Sequence, residues 1–498
     1  MKKINPLLLC LMSVILLALP FFNCRIWLAS WIGFLPLFFL LKEKGALKSF
    51  GWSYLAGFVF FISVIYWLIH VTMLGWIVLS IYLALYLGVF GLAFSFAKRL
   101  KSLYFVLFIP CIWVCIEFLR SIFLTGFPWA LLGYSQYKNL FIIQISDICG
   151  VYGVSFLLLL VNAAIYKFLD DKKSGLKYLA IILVVVGVVL GYGYFRINQK
   201  LSSDSLRVSV IQGNIPQDEK WQYELAPFIL GRHMTLSRLA SEEKPDIIIW
   251  PETSLPGALE EDQFLIENIN FLAKDIKTKL LIGAVSYREG LYYNSAALIS
   301  KEGEVMSRYD KLHLVPFGEY LPFPRFFSFV YNIAPAPIGD FAFGKDHTVF
   351  SLGENKSFSV LICFEDVFSY LSRDFVKRGA RFLVNITNDA WFKKTTEPYQ
   401  HLSSSVFRAI ENRVWVVRAA NTGVSCFISP KGSVIASVQD KNTKDETFIS
   451  GFKTQNITLE NRKTLYSRFG DLFVLACFVV SLLILLLTIG GKHGYQDR

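Results

Sequence analysis

Three short stretches hold side chains able to do acyl chemistry together. Val360–Phe368 reads VLICFEDVF, an apolar, β-branched run that ends at Cys363 and is followed at once by Glu365 and Asp366. Nearby carboxylates raise a thiol's pKa, so a nucleophilic Cys363 needs a base and a positive charge from elsewhere in the chain. Trp250–Pro256, WPETSLP, places Glu252 just past an apolar strand-like run, and Arg308–Pro322, RYDKLHLVPFGEYLP, supplies Lys311. Taken singly, each has an ordinary reading: Cys363 as a buried filler, Lys311 as a solvated cation, Glu252 as a turn cap. Taken in order, a glutamate base, a lysine cation and a cysteine nucleophile make a complete acyl-transfer set. Glu365 lies two residues past the cysteine. A turning backbone there lets it face the same pocket and bind Lys311 or main-chain amides, or else only stabilise the turn.

The elements that must position these residues are legible as alternating strands and helices. Ser205–Gln212 alternates like a strand, while Asp246–Trp250, Lys279–Gly283, Phe358–Cys363 and Phe382–Ile386 are short apolar runs of the kind buried on both sheet faces. Tyr293–Ser300, the Gly-containing turn Lys301–Glu304 and Val305–Tyr309 read as a hairpin. Glu261–Lys277 and His401–Val414 have helical length and amphipathic spacing. The pattern predicts a layered α/β domain, with Glu252 and Cys363 at the carboxyl ends of strands, where such sheets build ligand sites.

That domain is framed by a very different composition. Of 498 residues 54% are hydrophobic, too apolar for an ordinary soluble chain. The apolar residues gather at Leu7–Phe22, Ile26–Leu41, Ser53–His70, Trp76–Ala97, Leu103–Phe123, Val151–Leu169, Tyr178–Phe195 and Asp471–Ile489, each near the ~20 residues a helix needs to cross a bilayer. The expected domains are residues 1–200 with seven transmembrane helices, 204–468 as the α/β domain, and 469–498 as a last helix and tail. Met1-Lys-Lys before an apolar run resembles a signal peptide, but Leu17–Cys24 offers no small-x-small cleavage site, so a retained first helix is expected. Lys2, Lys3, Lys42, Lys44, Lys48, Lys98, Arg99, Lys101, Lys172, Lys173, Lys177, Lys492 and Arg498 fall on one side, against Arg25, Arg120 and Lys138 on the other. This bias predicts cytoplasmic termini and an extracytoplasmic α/β domain. It also accounts for most of the net charge of +12 without a nucleic-acid partner. Six of the eight cysteines lie in or beside apolar segments, and no spacing indicates a disulfide framework, a zinc site or a phosphate-binding glycine loop. No metal or other cofactor is expected.

The ordered set WPETSLP, RYDKLHLVPFGEYLP and ICFEDVF resembles the nitrilase, or carbon–nitrogen hydrolase, superfamily. The helices, with WVCIEFLRSIFLTGFPWALLGYSQ, NITNDAWFKKTTEPYQHL and RAIENRVWVVRAANTG, resemble more specifically the apolipoprotein N-acyltransferase family over nearly the whole chain. The resemblance implies an αββα sandwich, about eight membrane helices and a bacterial inner-membrane location with a periplasmic catalytic domain. It implies Cys363 as nucleophile, Glu252 as proton acceptor and Lys311 as oxyanion stabiliser. Glu319 is given a supporting role in orienting Lys311 or the substrate, and Trp221, in QGNIPQDEKW, a place in the pocket wall. The implied partners are a phospholipid acyl donor, typically phosphatidylethanolamine, and a diacylated apolipoprotein acceptor, served by a monomer.

Two other classes compete. A tethered amidase would share the three residues but needs only one anchoring helix. A transporter or binding module with an inactive domain conflicts with the complete residue set and lacks paired broken helices with buried charges. Pro322–Ile333 and Phe341–Phe343 form an aromatic-rich, Pro-broken stretch. It reads either as core packing or as a lid that dips into the membrane interface. Glu117 and Arg120, three apart on one apolar helix, share a face and read as a structural pair or a substrate contact.

Overall fold

The computed structural model describes residues 5–327 and 339–493. It divides into two compact units, Met1–Gln199 with Arg468–Arg498, and Lys200–Ser467.

In the first unit, six segments among the described residues are long and apolar enough to cross a membrane: Cys24–Leu41, Ala46–Val64, Met73–Ala97, Ser102–Thr125, Ser146–Asp170 and Gly175–Ile197. Pro6–Phe22 and Leu472–Thr488 are apolar but shorter, so the count by length is six rather than eight. The expected helix over Ile26–Leu41 is broken into a 3₁₀ stretch, Cys24–Trp31, and an α-helix, Leu35–Leu41, with Pro36 in its first turn. Main-chain groups freed by such a break need partners in an apolar setting. Asn162 provides them: its Oδ1 accepts from Phe34 N at 2.9 Å and its Nδ2 donates to Ser30 O at 3.1 Å. Glu117 and Arg120 do the same for the irregular stretch after Ser102–Ile122. Glu117 Oε1 accepts from Leu132 N at 2.7 Å, and Arg120 Nη1 donates to Trp129 O at 2.6 Å and Phe127 O at 3.2 Å. Both side chains are buried and hold backbone.

The second unit is built on two six-stranded sheets. The first contains β1 (Ser205–Gln212), β2 (Ile247–Ile249), β3 (Lys279–Arg288), β4 (Leu291–Ile299) and β5 (Val305–Asp310), with β12 (Gly451–Thr458) on the outer edge beside β1. The second contains β6 (Phe350–Ser351), β7 (Ser357–Ile362), β8 (Phe382–Thr387), β9 (Trp415–Ala420), β10 (Cys426–Ile428) and β11 (Val434–Ser437), in spatial order from β11 to β6. Strands β1, β2 and β3 run parallel, as do β7, β8 and β9, and the edges are antiparallel. Parallel strands are covered on both faces, which is why Ile247, Ile248 and Ile249 are all fully buried. Helices Ala226–Ser241 and Gln263–Ile276 cover the first sheet through Leu230, Met234, Leu265, Ile269 and Leu272, in one core with Ile248, Trp250, Leu280 and Ile282. Helices Ser369–Lys377 and Glu397–Asn412 pack on the second sheet, giving the expected layer order of helix, sheet, sheet, helix.

Candidate active site

Glu252 stands three residues past β2. The chain leaving β2 is clipped to β3 by Trp250 N to Leu281 O at 2.8 Å and by Ser254 N to Gly283 O at 2.7 Å. Glycine is required at 283: a Cβ there would lie 2.2 Å from Pro251 O and 2.7 Å from Glu252 Cα. The Glu252 Oε1 accepts from Asn294 Nδ2 at 2.8 Å and lies 3.6 Å from Lys311 Nζ. Lys311 follows β5, its N–H bonded to Asn294 O at 2.9 Å. Its ammonium donates to Glu319 Oε1 at 2.9 Å, and Asn294 Nδ2 donates to that same oxygen at 2.7 Å. Val315 N fixes the other Glu319 oxygen at 2.7 Å. Lys311 is 1% exposed. Burial alone would lower its pKa, but Glu319 and Glu252 outweigh burial and hold it above the usual lysine range, so it stays charged.

Cys363 follows β7 directly with φ +51°, in the left-handed region that a side chain normally avoids. Such a residue costs on the order of 1–3 kcal/mol and persists where its surroundings fix it. Here Asn385 Nδ2 donates to Cys363 O at 3.2 Å and Leu361 O at 3.1 Å. Glu365 closes the turn: its Oε2 accepts from Ile362 N at 2.7 Å, and its Oε1 accepts from Tyr309 Oη at 2.8 Å, Leu312 N at 2.7 Å and His313 N at 3.0 Å. It thereby ties the cysteine turn to the segment that carries Lys311, through main-chain amides. Burial pushes the Glu365 carboxyl up to about 7 against these donors. Burial and then the Glu252 charge push the Cys363 thiol well up, with Lys311 opposing. At neutral pH Cys363 is therefore held as a thiol rather than a thiolate.

Beneath the cysteine lies a buried charge cluster. His401 Nε2 is 2.9 Å from Asp366 Oδ1 and 3.3 Å from Cys363 O, while its Nδ1 is 3.3 Å from Asp389 Oδ1. With acceptors at both ring nitrogens the ring is an imidazolium; burial would lower its pKa, but Asp366 outweighs that and carries it to about 10. Arg418 Nη1 donates to Asp366 Oδ2 at 2.9 Å. Asp389, Glu397 and His401 bring three ligand-type atoms within 4.8 Å of one another, a metal-like grouping. Burial, with Asp389 beside it, pushes Glu397 well up toward its neutral form, and Arg418 and His401 offset the two aspartates. The cluster balances its charge without a further cation.

Trp221, next to Lys220, is 49% exposed and lines an open cleft of about 400 Å³ with Ala258, Val285, Tyr292 and Phe341. The aromatic stretch is described only in part: Phe323 and Phe343 are exposed and Phe343 packs on Tyr320, while residues 328–338 lie outside the described residues. Two site residues escaped the sequence reading. Asn294, which links both glutamates, is a polar residue inside the strand-like run of β4, a usable signal. Lys220, buried beside Glu252, sits in a polar segment that reads as surface.

Residues 207–455 match the carbon–nitrogen hydrolase family model and residues 13–164 match the apolipoprotein N-acyltransferase N-terminal domain model. The first match, with the sandwich and its Glu–Lys–Cys constellation, defines an enzyme of the nitrilase-like class. An apolipoprotein N-acyltransferase of Geobacter metallireducens is 36% identical over 512 residues, covering 98% of this chain and 96% of the relative. One from Agrobacterium fabrum is 32% identical over 462 residues, covering 87% and 86%. The chain belongs to the apolipoprotein N-acyltransferase family, a family of acyltransferases. Among solved structures, an amidase from Nesterenkonia sp. aligns with a TM-score of 0.41 at 17% identity, covering 56% of this chain and 99% of that one.

Proposed function

We propose that this chain moves an acyl chain from a membrane phospholipid, phosphatidylethanolamine first among them, to the free α-amine of the S-diacylglyceryl-cysteine of an apolipoprotein. Glu252 takes the Cys363 proton as sulfur attacks the ester carbonyl. The tetrahedral oxyanion forms beside the Lys311 ammonium. Its collapse expels the lysophospholipid oxygen, which recovers the proton from Glu252 and leaves a thioester on Cys363. The acceptor amine, in its neutral form, then attacks that carbonyl. Glu252 takes the N–H proton and returns it to the departing sulfur, and the amide is released.

The observation that carries this reading is one base and one permanently charged lysine, 3.6 Å apart, at a neutral thiol on a strained turn. Glu319 holds Lys311, Glu365 holds the turn, and Trp221 walls the cleft. The chain acts as a monomer with eight crossings of the bacterial inner membrane, the shorter helices Pro6–Phe22 and Leu472–Thr488 included, with cytoplasmic termini and residues 204–468 in the periplasm. The test supplies phosphatidylethanolamine and a diacylated lipopeptide to the detergent-solubilised protein. Acylated peptide and lysophospholipid should appear in equal amounts, and Glu252→Gln or Lys311→Met should slow both by about a hundredfold or more. Lysophospholipid with free fatty acid and no acylated peptide would instead indicate a hydrolase.

A further inference from the structure

We propose that Lys220 is a positioning residue of the acyl-transfer site, whose ammonium anchors the main chain that presents Glu252 and completes the charge balance around Cys363. The inference rests on the acyl-transfer reading above and adds a residue that neither the motifs nor the family resemblance singles out.

Lys220 and Trp221 are neighbours with opposite environments: the lysine is 2% exposed and the tryptophan 49%. The segment turns at this point, with Lys220 N bonded to Pro216 O at 3.1 Å, which sends the two side chains apart. An ammonium is expensive to bury without a partner. The direct partner of Lys220 Nζ is a main-chain oxygen, Glu252 O, at 3.0 Å. The contact therefore fixes the backbone of the proposed base and leaves its carboxylate to Asn294 and Lys311. Lys311 alone faces two carboxylates, Glu252 and Glu319. A second cation neutralises that trio, and Lys220 is placed to be it.

The ionisable groups that act on Lys220 are Glu252 and Cys363, and it acts in turn on His233. Burial, followed by Lys220 and Arg232, lowers His233 to about 4, so that ring is neutral. Burial lowers Lys220 to about 8, with Glu252 and Cys363 resisting the fall. The ammonium is present at neutral pH and is lost as pH rises through that value.

The test uses full-length protein in detergent micelles with phosphatidylethanolamine, and follows thioester formation by intact mass across pH 6–10. Alkylation of Cys363 by iodoacetamide is followed in parallel and needs no acyl donor. Wild type should lose acylation rate above pH ~8. Lys220→Met should acylate about tenfold more slowly at pH 7, with unchanged half-saturating lipid, no alkaline limb near pH 8 and alkylation displaced to higher pH. Lys220→Arg, charged throughout this range, should stay within about threefold of wild type and remove the limb. A wild-type limb that Lys220→Arg leaves in place overturns the inference, and so does a Lys220→Met variant with wild-type rate and alkylation profile. If Lys220→Met does not fold, wild type and Lys220→Arg decide the matter alone. An absent thioester in every variant, with the alkylation profiles shifted as stated, would overturn the acyl-donor reading while leaving Lys220 in this role.

Discussion

At Cys363 two opposing demands meet. The thiol is kept protonated by burial and by Glu252, yet the proposed transfer needs it as a nucleophile. In the proposed mechanism this is resolved by Glu252 and Lys311 standing together, with the proton leaving only as the carbonyl is attacked. Iodoacetamide should accordingly label Cys363 slowly at pH 7 and faster only well into the alkaline range, and a free-thiol profile centred near pH 8.5 would contradict the burial argument. Glu319→Gln removes one of the two carboxylates on Lys311, so acylation should slow by about tenfold with lipid half-saturation unchanged; loss confined to lipid binding would assign Glu319 to the substrate instead. Glu252, Lys311 and Cys363 were legible because reactive types follow apolar runs at turns. Asn294 and Lys220 were not, because what makes them part of the site is contact with residues 42 and 32 positions away, which no local pattern records.

Among the elements, β3 and the helix Glu397–Asn412 carry the site most directly. Gly283 in β3 touches the backbone on either side of Glu252, so Gly283→Ala should displace the base and cut acyl transfer by about tenfold or more while the protein remains folded by circular dichroism. Unchanged activity would mean the loop has slack. His401 gives a pH signature. Its folded pKa, about 10, lies above the ordinary 6.5, so the folded state holds the extra proton and its stabilisation is full below pH 6.5. That contribution fades as pH rises from 6.5 to 10. The difference in unfolding temperature between wild type and His401→Gln should shrink over that interval, and a constant difference would contradict the imidazolium. Strands β1 to β5, β7 and β8 could be read from alternation or short apolar runs. Trp415–Ala420 was quoted in a motif but not read as a strand, since helix and strand run together there with only Arg413 and Val414 between them. The break inside Cys24–Leu41 was equally hidden, because Asn162, the side chain that satisfies it, lies 128 residues from Phe34.

For the molecule as a whole, hydropathy and lysine placement make a topological claim that length alone leaves open, since six segments qualify by length and two fall short. A fluorescent protein fused after Arg498 should fluoresce, and alkaline phosphatase fused within residues 204–468 should be active; the reverse pattern would overturn the proposed orientation. The division into an apolar unit and an α/β unit was visible in composition, whereas the enclosure of charge beneath Cys363 needed the fold. The most direct measurement of the central claim is the intact mass of purified protein after incubation with phosphatidylethanolamine alone, beside Cys363→Ala. The account predicts a gain of one acyl chain on the wild-type protein only, removed by neutral hydroxylamine and cleared by a diacylated lipopeptide. An adduct of the same mass on Cys363→Ala, or lysophospholipid release with no adduct at any time point, would contradict it.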